Sequence, residues 1–254
     1  MSKTILITGA SSGIGAACAE KFAAAGHQLI LCSRRKDRLD TFSKRIEKEH
    51  KIAVLPVEMD VRDKDSVLKK MKKLPFHWKT IDVLINNAGL ALGLSGIDEG
   101  STDDWEQMID TNLKGLLYVS NAVIPLMKKQ GYGHIINIGS IAGVETYPRG
   151  NVYCATKHAV TSLTKGMRMD LLPFGIKVSL VSPGATETEF SVVRFHGDTA
   201  KAKNVYKGYR PLTGEDVAEV IFFVAGLPDH VNVNDLLLMP TAQASATLFN
   251  KTTD

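Results

Sequence analysis

The stretch Thr4-Ile-Leu-Ile-Thr8-Gly9-Ala-Ser-Ser-Gly13-Ile-Gly15 decides how the chain is read. An apolar, β-branched run ends in a glycine-rich turn, and helical patterning follows over residues 14 to 25. A strand that feeds a tight turn and then a helix gathers free backbone N–H groups at the positive end of the helix dipole. Glycine lets the backbone turn there and come close to a pyrophosphate, so Gly9, Ser11, Ser12, Gly13, Ile14 and Gly15 read as a phosphate cradle. The spacing is GxxxGxG rather than GxGxxG. A glycine-rich loop without a ligand is the competing reading, and the rest of the chain decides between the two.

Outward from that stretch, short apolar runs alternate with longer amphipathic segments. The runs are Thr4 to Thr8, Gln28 to Ser33, Ile52 to Val57, Ile81 to Asn86, Gly133 to Gly139, Ile176 to Ser182 and Asp235 to Met239. Each is continuously apolar, as strands buried on both faces of a parallel sheet are. Helices are expected at 14 to 25, 35 to 50, 63 to 73, 101 to 130, 151 to 173 and 213 to 226. This alternation predicts a doubly wound α/β fold of seven parallel strands with helices on both faces. No repeat or linker divides the chain, so residues 1–254 are expected to form one domain. The irregular stretch 184–212 is too long for an ordinary connection and reads as a substrate loop with short helices of its own.

Composition narrows the function classes. With 44% hydrophobic and 23% charged residues and a net charge of +4, the 254-residue chain has no basic surface suited to nucleic acid or a membrane. Three cysteines, Cys18, Cys32 and Cys154, lie far apart without a CxxC pattern, which fits thiols in a reducing compartment. The seven histidines show no metal-ligand spacing, so no metal is expected. The apolar run before Gly9 is too short for a signal peptide or a membrane span, and a cytoplasmic location is expected.

The ends of the strands carry the chemistry. The second ends Cys32-Ser33-Arg34-Arg35, where a carboxylate would bind the 2′-hydroxyl of NAD and arginine suits the 2′-phosphate of NADP. The absence of a carboxylate before Asp37 points to NADP. After the third, Asp60-Val61 could meet an adenine amino group, or Asp60 could cap the next helix. The fourth ends Asn86-Asn87-Ala88-Gly89, small enough for the backbone to pass close to a ribose. The fifth is followed by Ser140, a hydroxyl at the carboxyl edge of the sheet. Tyr153-Cys-Ala-Thr-Lys157 then places a phenol and an ammonium one helical turn apart, and a nearby ammonium favours the phenolate, making Tyr153 a usable acid–base group.

Taken together, these motifs resemble the short-chain dehydrogenases/reductases over nearly the whole chain. Thr8 to Gly15 is similar to the family's nucleotide loop, Asn86 to Gly89 to its NNAG motif, and Pro183-Gly184 to Thr188 to its PGxxxT segment beside the nicotinamide. The resemblance implies a Rossmann-type fold and a catalytic tetrad of Asn112, Ser140, Tyr153 and Lys157. By it, Tyr153 is the general acid/base and Ser140 donates to the substrate oxygen. Lys157 lowers the tyrosine pKa and holds the nicotinamide ribose, while Asn112 positions a relay water. Gly184, Thr186 and Thr188 join the cofactor contacts.

Two downstream stretches, Glu187 to Asp198 and Leu238-Met-Pro-Thr-Ala-Gln243, resemble the subgroup of NADP-dependent 3-hydroxy acid dehydrogenases acting on serine, allo-threonine and 3-hydroxyisobutyrate. A small carboxylate substrate needs a cation, and Arg149 and Arg194 are the candidates. The family resemblance also implies a homotetramer built on the helices around Asn112 to Lys129 and Val152 to Leu172, and the tail from Pro240 to Asp254, with few apolar residues, is expected at a subunit contact. The competing functions are an NADPH-dependent reductase of a bulkier ketone, quinone or acyl thioester, and a nucleotide-binding sensor without turnover.

Overall fold

In the computed structural model, which describes residues 2–252, strand β1 (Thr4–Thr8) lies in the interior of a parallel sheet with every one of its residues buried. Its neighbours are β2 (Gln28–Ser33) on one side and β4 (Val83–Asn86) on the other. With β3 (Val54–Glu58), β5 (Gly133–Ile138), β6 (Ile176–Pro183) and β7 (Asp235–Leu238) the sheet has seven strands in the order β3-β2-β1-β4-β5-β6-β7. All pairings are parallel. The order reverses between β1 and β4, which opens a crevice at the carboxyl ends of the strands.

Period-2 alternation sends neighbouring residues of each strand to opposite cores. On one face, Ile5, Ile7, Leu29 and Leu31 pack against helix α1 (Gly13–Ala24), helix α2 (Lys36–His50) and helix α9 (Gly214–Gly226) through Phe22, Leu39, Ile46 and Ile221. On the other, Leu6, Ile30, Leu84 and Ile135 meet Val67 of helix α3 (Lys64–Lys72) and Val119 and Val123 of helix α5 (Leu116–Gln130). Helix α6 (Asn151–Leu171) closes that layer beside α5.

Three expectations need correction. β3 and β7 are only partly buried, since each is an edge strand with one neighbour, so a continuous apolar run does not imply a central position. β3 starts at Val54 rather than Ile52 because its ladder with β2 begins at Leu29–Val54. The helix expected over 101 to 130 is interrupted: helix α4 (Thr102–Ile109) passes into a π-helical segment, Asp110–Gly115, before α5. Such a segment shifts the helical register and re-aims its side chains, here those around Asn112. The tail folds back on its own chain, where Gln243 accepts from Ala185 N (2.8 Å) and Thr252 N donates to Gly208 O (2.8 Å). Its last residues, 253 and 254, lie outside the described residues.

The stretch 184–212 holds helix α7 (Glu189–Arg194) and helix α8 (Thr199–Val205). Its two ends are held together by a parallel bridge between Thr186 and Leu212, so it forms a flap rather than an open loop.

Candidate active site

A cavity of about 500 Å³ occupies the crevice at the sheet reversal. Its floor is the glycine-rich turn. Gly9 adopts φ +67, and a Cβ there would lie 2.9 Å from Asn87 Nδ2. Gly15 does not line the cavity but makes the turn possible, since a Cβ on it would sit 2.4 Å from Gly9 O. The α1 N-terminus carries no side-chain cap and no acidic residue in its first turn, so its N–H groups are left for an anion. Asn87 locks β4 to β1, donating from Nδ2 to Thr8 O (2.9 Å) and from its backbone N–H to Thr8 Oγ1 (3.0 Å).

Ser33, Arg34 and Arg35 border one end of the cavity. The Ser33 hydroxyl donates to Ser11 Oγ (2.8 Å), and Arg35 donates to Ser11 Oγ and Ser12 Oγ. The carboxylate of Glu189 takes an ion pair from Arg35 (2.7 Å) and another from Arg38 (2.8 Å), and the Arg35 contact holds its pKa below the usual range. Asp60 and Val61 also line the cavity. Asp60 is bound to Arg62 through backbone and side chain and does not cap α3; that cap is Asp63, which accepts from Ser66 N.

Deeper in, the cavity passes Ala88, Gly89, Pro183, Gly184, Thr186 and Thr188. A Cβ on Gly89 would stand 3.6 Å from Lys157 Nζ, and one on Gly184 would stand 2.5 Å from Gln243 Oε1. Thr188 also caps α7 through Phe190 N, which leaves its hydroxyl at the seam between flap and glycine turn.

Ser140, Tyr153 and Lys157 meet at the inner end, all buried. Lys157 Nζ donates to Ile138 O (2.9 Å), and burial pushes its pKa down to about 8. The expected lowering of Tyr153 by Lys157 is not what dominates. Burial raises the phenol pKa, the nearby Tyr147 raises it further, and the groups that oppose this are the Ser140 hydroxyl and Arg194. The reason is desolvation, which disfavours the charged form of either partner taken alone.

Asn112 is brought beside this cluster without lining the cavity. Its Oδ1 accepts from Leu90 N (2.8 Å), and its Nδ2 donates to Leu90 O (2.8 Å) and Thr156 Oγ1 (3.0 Å). The amide is spent as a brace between the strand-end loop and α6.

The two candidate carboxylate ligands separate cleanly. Arg149 is exposed, in a left-handed conformation (φ 64), and outside the cavity. Arg194 enters the cavity, with its guanidinium 5.2 Å from the Tyr153 ring centre and 5.6 Å from that of Phe190. Nη2 donates to Tyr147 Oη (2.5 Å), while the buried Nε has no partner. An unpaired guanidinium N–H in a closed aromatic setting is an anion-seeking group. Glu187, by contrast, is exposed and lies outside the cavity.

Sequence reasoning did not single out Tyr147, Phe190, Tyr206, Tyr209, Gln243 and Phe249, which also line the cavity, although Phe190 and Gln243 fall within the two stretches that carry the subgroup resemblance. Tyr147 had one usable signal: Gly150, where a Cβ would fall 2.1 Å from the Tyr147 ring. Among the described residues one group of potential metal ligands occurs, Glu20, Glu49 and His50, and none of them lines the cavity.

The uncapped helix start, the glycine cradle and the hydroxyl and guanidinium groups at one end fit a dinucleotide with an extra phosphate. Comparisons with known proteins bear on that fit. A family model described as short chain dehydrogenase matches residues 3–198. An NADP-dependent 3-hydroxy acid dehydrogenase of Schizosaccharomyces pombe is 46% identical over 96% of this chain and 95% of its own. A sulfoacetaldehyde reductase of Chromohalobacter salexigens is 45% identical over 96% of each. The solved closed form of a serine dehydrogenase complexed with NADP+ superimposes with a TM-score of 0.91 at 42% identity, covering 98% of this chain and 100% of that one.

Proposed function

The chain belongs to the short-chain dehydrogenase family, and from that premise we propose that it acts on small 3-hydroxy acids, with L-serine, L-allo-threonine and 3-hydroxyisobutyrate as alcohols and malonic semialdehyde as a substrate of the reverse reaction. At the coarser level it is an NADP-dependent oxidoreductase that works on hydroxyl groups. The observation that carries the finer reading is Arg194, a half-buried cation next to Tyr153 with its Nε unpaired. A carboxylate held there would leave the neighbouring hydroxyl-bearing carbon beside Ser140 and Tyr153.

NADP supplies the hydride acceptor. The residues that would hold it are the turn Gly9 to Gly15, Ser33, Arg34 and Arg35 at the 2′-phosphate, Asp60 and Val61 near the adenine, Asn87 to Gly89, and Pro183 to Thr188. Tyr153 takes the hydroxyl proton in oxidation and returns it in reduction. Ser140 donates to the substrate oxygen, where negative charge develops, as an oxyanion hole does. Lys157 sits where a ribose would pass and offers its charge to the phenolate. Asn112 fixes the Leu90 loop against α6 and so the walls around the phenol.

The test is to measure kcat/KM for each hydroxy acid, its methyl ester and a matched neutral alcohol, in the natural chain and in Arg194→Met. The acids should be preferred by at least about tenfold, equivalent to ~1.4 kcal/mol, and the preference should vanish in the variant. Equal constants for the neutral compounds would transfer the site to a bulkier ketone, a reading favoured by the aromatic rings of Tyr147, Phe190, Tyr206 and Phe249 in its lining.

We also read the assembly as a homotetramer joined through α5 and α6, and the location as the cytoplasm, with neither nucleic acid nor membrane as a partner. The support is apolar side chains left exposed on those helices, Leu117 and Met169, and just past the end of α6, Leu172, and three free thiols. Among the described residues no helix is long and apolar enough to cross a membrane.

A further inference from the structure

Helix α7 joins two chemistries: Glu189 opens it and Arg194 closes it. Arg35 grips Glu189 through Nη1 (2.7 Å). Its remaining edge is filled by Ser11 Oγ, at 3.1 Å from Nε and 3.0 Å from Nη2, and by Ser12 Oγ at 2.6 Å from Nη2. One Nη1 N–H is left over, so a phosphate that meets this guanidinium with two parallel hydrogen bonds must take over at least one of those contacts. The serines can adapt, because a hydroxyl that accepts from Arg35 can turn and donate to a phosphate oxygen. The carboxylate cannot, since an ionised Glu only accepts, and a phosphate beside it brings like charges together.

We propose that Glu189 sets the affinity for NADP by competing with the ribose 2′-phosphate for Arg35. The 2′-phosphate alone, and not the rest of the dinucleotide, then moves the start of α7 from Arg35 onto Arg38. A dinucleotide with a plain 2′-hydroxyl leaves the Arg35–Glu189 pair in place. The inference rests on Arg35 being a ligand of the 2′-phosphate. It also links the two ends of the cavity, because the helix released at Glu189 carries Arg194 one and a half turns on.

The probes are adenosine 2′,5′-bisphosphate and 5′-AMP, which differ only in the 2′-phosphate, with affinities measured by calorimetry. Glu189→Gln keeps the shape and removes the charge of a half-exposed side chain. It should bind the bisphosphate about 1.4- to fivefold more tightly, the range for one solvent-exposed ion pair, and leave 5′-AMP unchanged. Arg35→Ala should weaken the bisphosphate and erase the gain of Glu189→Gln in the double variant. If Arg35→Ala weakens the bisphosphate but Glu189→Gln leaves it unchanged or weakens it, Glu189 does not compete and the phosphate reading of Arg35 stands. Equal tightening of both probes would mean that the flap was merely loosened, which also overturns the proposal. No effect of Arg35→Ala would remove Arg35 as a ligand and the inference with it.

Discussion

At Tyr153 burial raises the phenol pKa while the Ser140 hydroxyl and Arg194 lower it, and burial prevails. The same desolvation pushes Lys157 down to about 8. A buried phenolate and a buried ammonium are each disfavoured alone, and an ammonium within reach of the phenol would favour its ionised form. Tyr153→Phe should therefore lower kcat at least about a hundredfold while the NADP dissociation constant changes by less than about twofold, since only the proton carrier is lost. Lys157→Ala should damage both quantities, because the proposed mechanism assigns its ammonium to both the phenol and the ribose. Fluorescence titration with NADP alongside steady-state kinetics separates these outcomes. Residual turnover above a hundredth in the phenylalanine variant would mean that another group carries the proton.

Elements place these residues through contacts that ignore the chemistry. The crossing from β1 to α1 depends on Gly15 lying against Gly9 O, and the end of β4 is tied to β1 by Asn87. Behind the site, Asn86 Nδ2 donates to Ser120 Oγ (3.0 Å) and Asn137 Oδ1 (2.9 Å), while Asn137 Nδ2 reaches Thr164 Oγ1 (2.9 Å). This ladder joins α5, β4, β5 and α6 into one frame through the Asn86 and Asn137 donors, while the buried Asn86 Oδ1 has no partner. β5 also carries His134, paired to Ser179 Oγ (2.8 Å) and without a partner at Nδ1, and burial pushes its pKa to about 3. The unfolded histidine, with an ordinary value near 6.5, binds a proton in the window where the folded one does not. Stability from this group is therefore present above about pH 6.5 and lost as pH falls toward 3. His134→Gln should flatten the decline in unfolding free energy between pH 6.5 and 5, measured by urea titration, and an unchanged slope would show that other groups cause it.

The whole molecule works as a sheet edge with a flap and a tail folded over it. The flap is fastened by Gly93 N to Arg194 O (2.9 Å) and by His196 to Asp104 (3.1 Å), and the tail fastens it from behind through Gln243. Opposite this face, Met169 and Leu172 are 70% and 76% exposed at the end of α6. Apolar side chains so exposed are normal singly, but with Leu117 on the adjacent α5 they suit a face buried by another copy. Light scattering should find a tetramer, and Met169→Glu with Leu172→Glu should give a smaller species that keeps its circular dichroism. A monomeric natural chain would end this reading of the surface.

Much of this was written in local sequence. The alternating apolar runs determined a doubly wound parallel sheet, because burial on both faces demands them, and Thr8 to Gly15 determined where an anion would meet it, because only glycine permits those turns. Tyr153 and Lys157 were legible from helical spacing. What the local pattern could not show depended on contacts between distant segments. Arg149 and Arg194 are equal as cations in the sequence; the flap's fold brings one of them against Tyr147, Tyr153 and Phe190 and leaves the other in solvent. Asn112 reads as a polar residue in a helix, and only the π-helical segment turns its amide to Leu90 and Thr156. The pairing of Arg35 with Glu189 spans 154 positions, and a pairing over that separation exists only once the sheet has set the strand ends beside the flap.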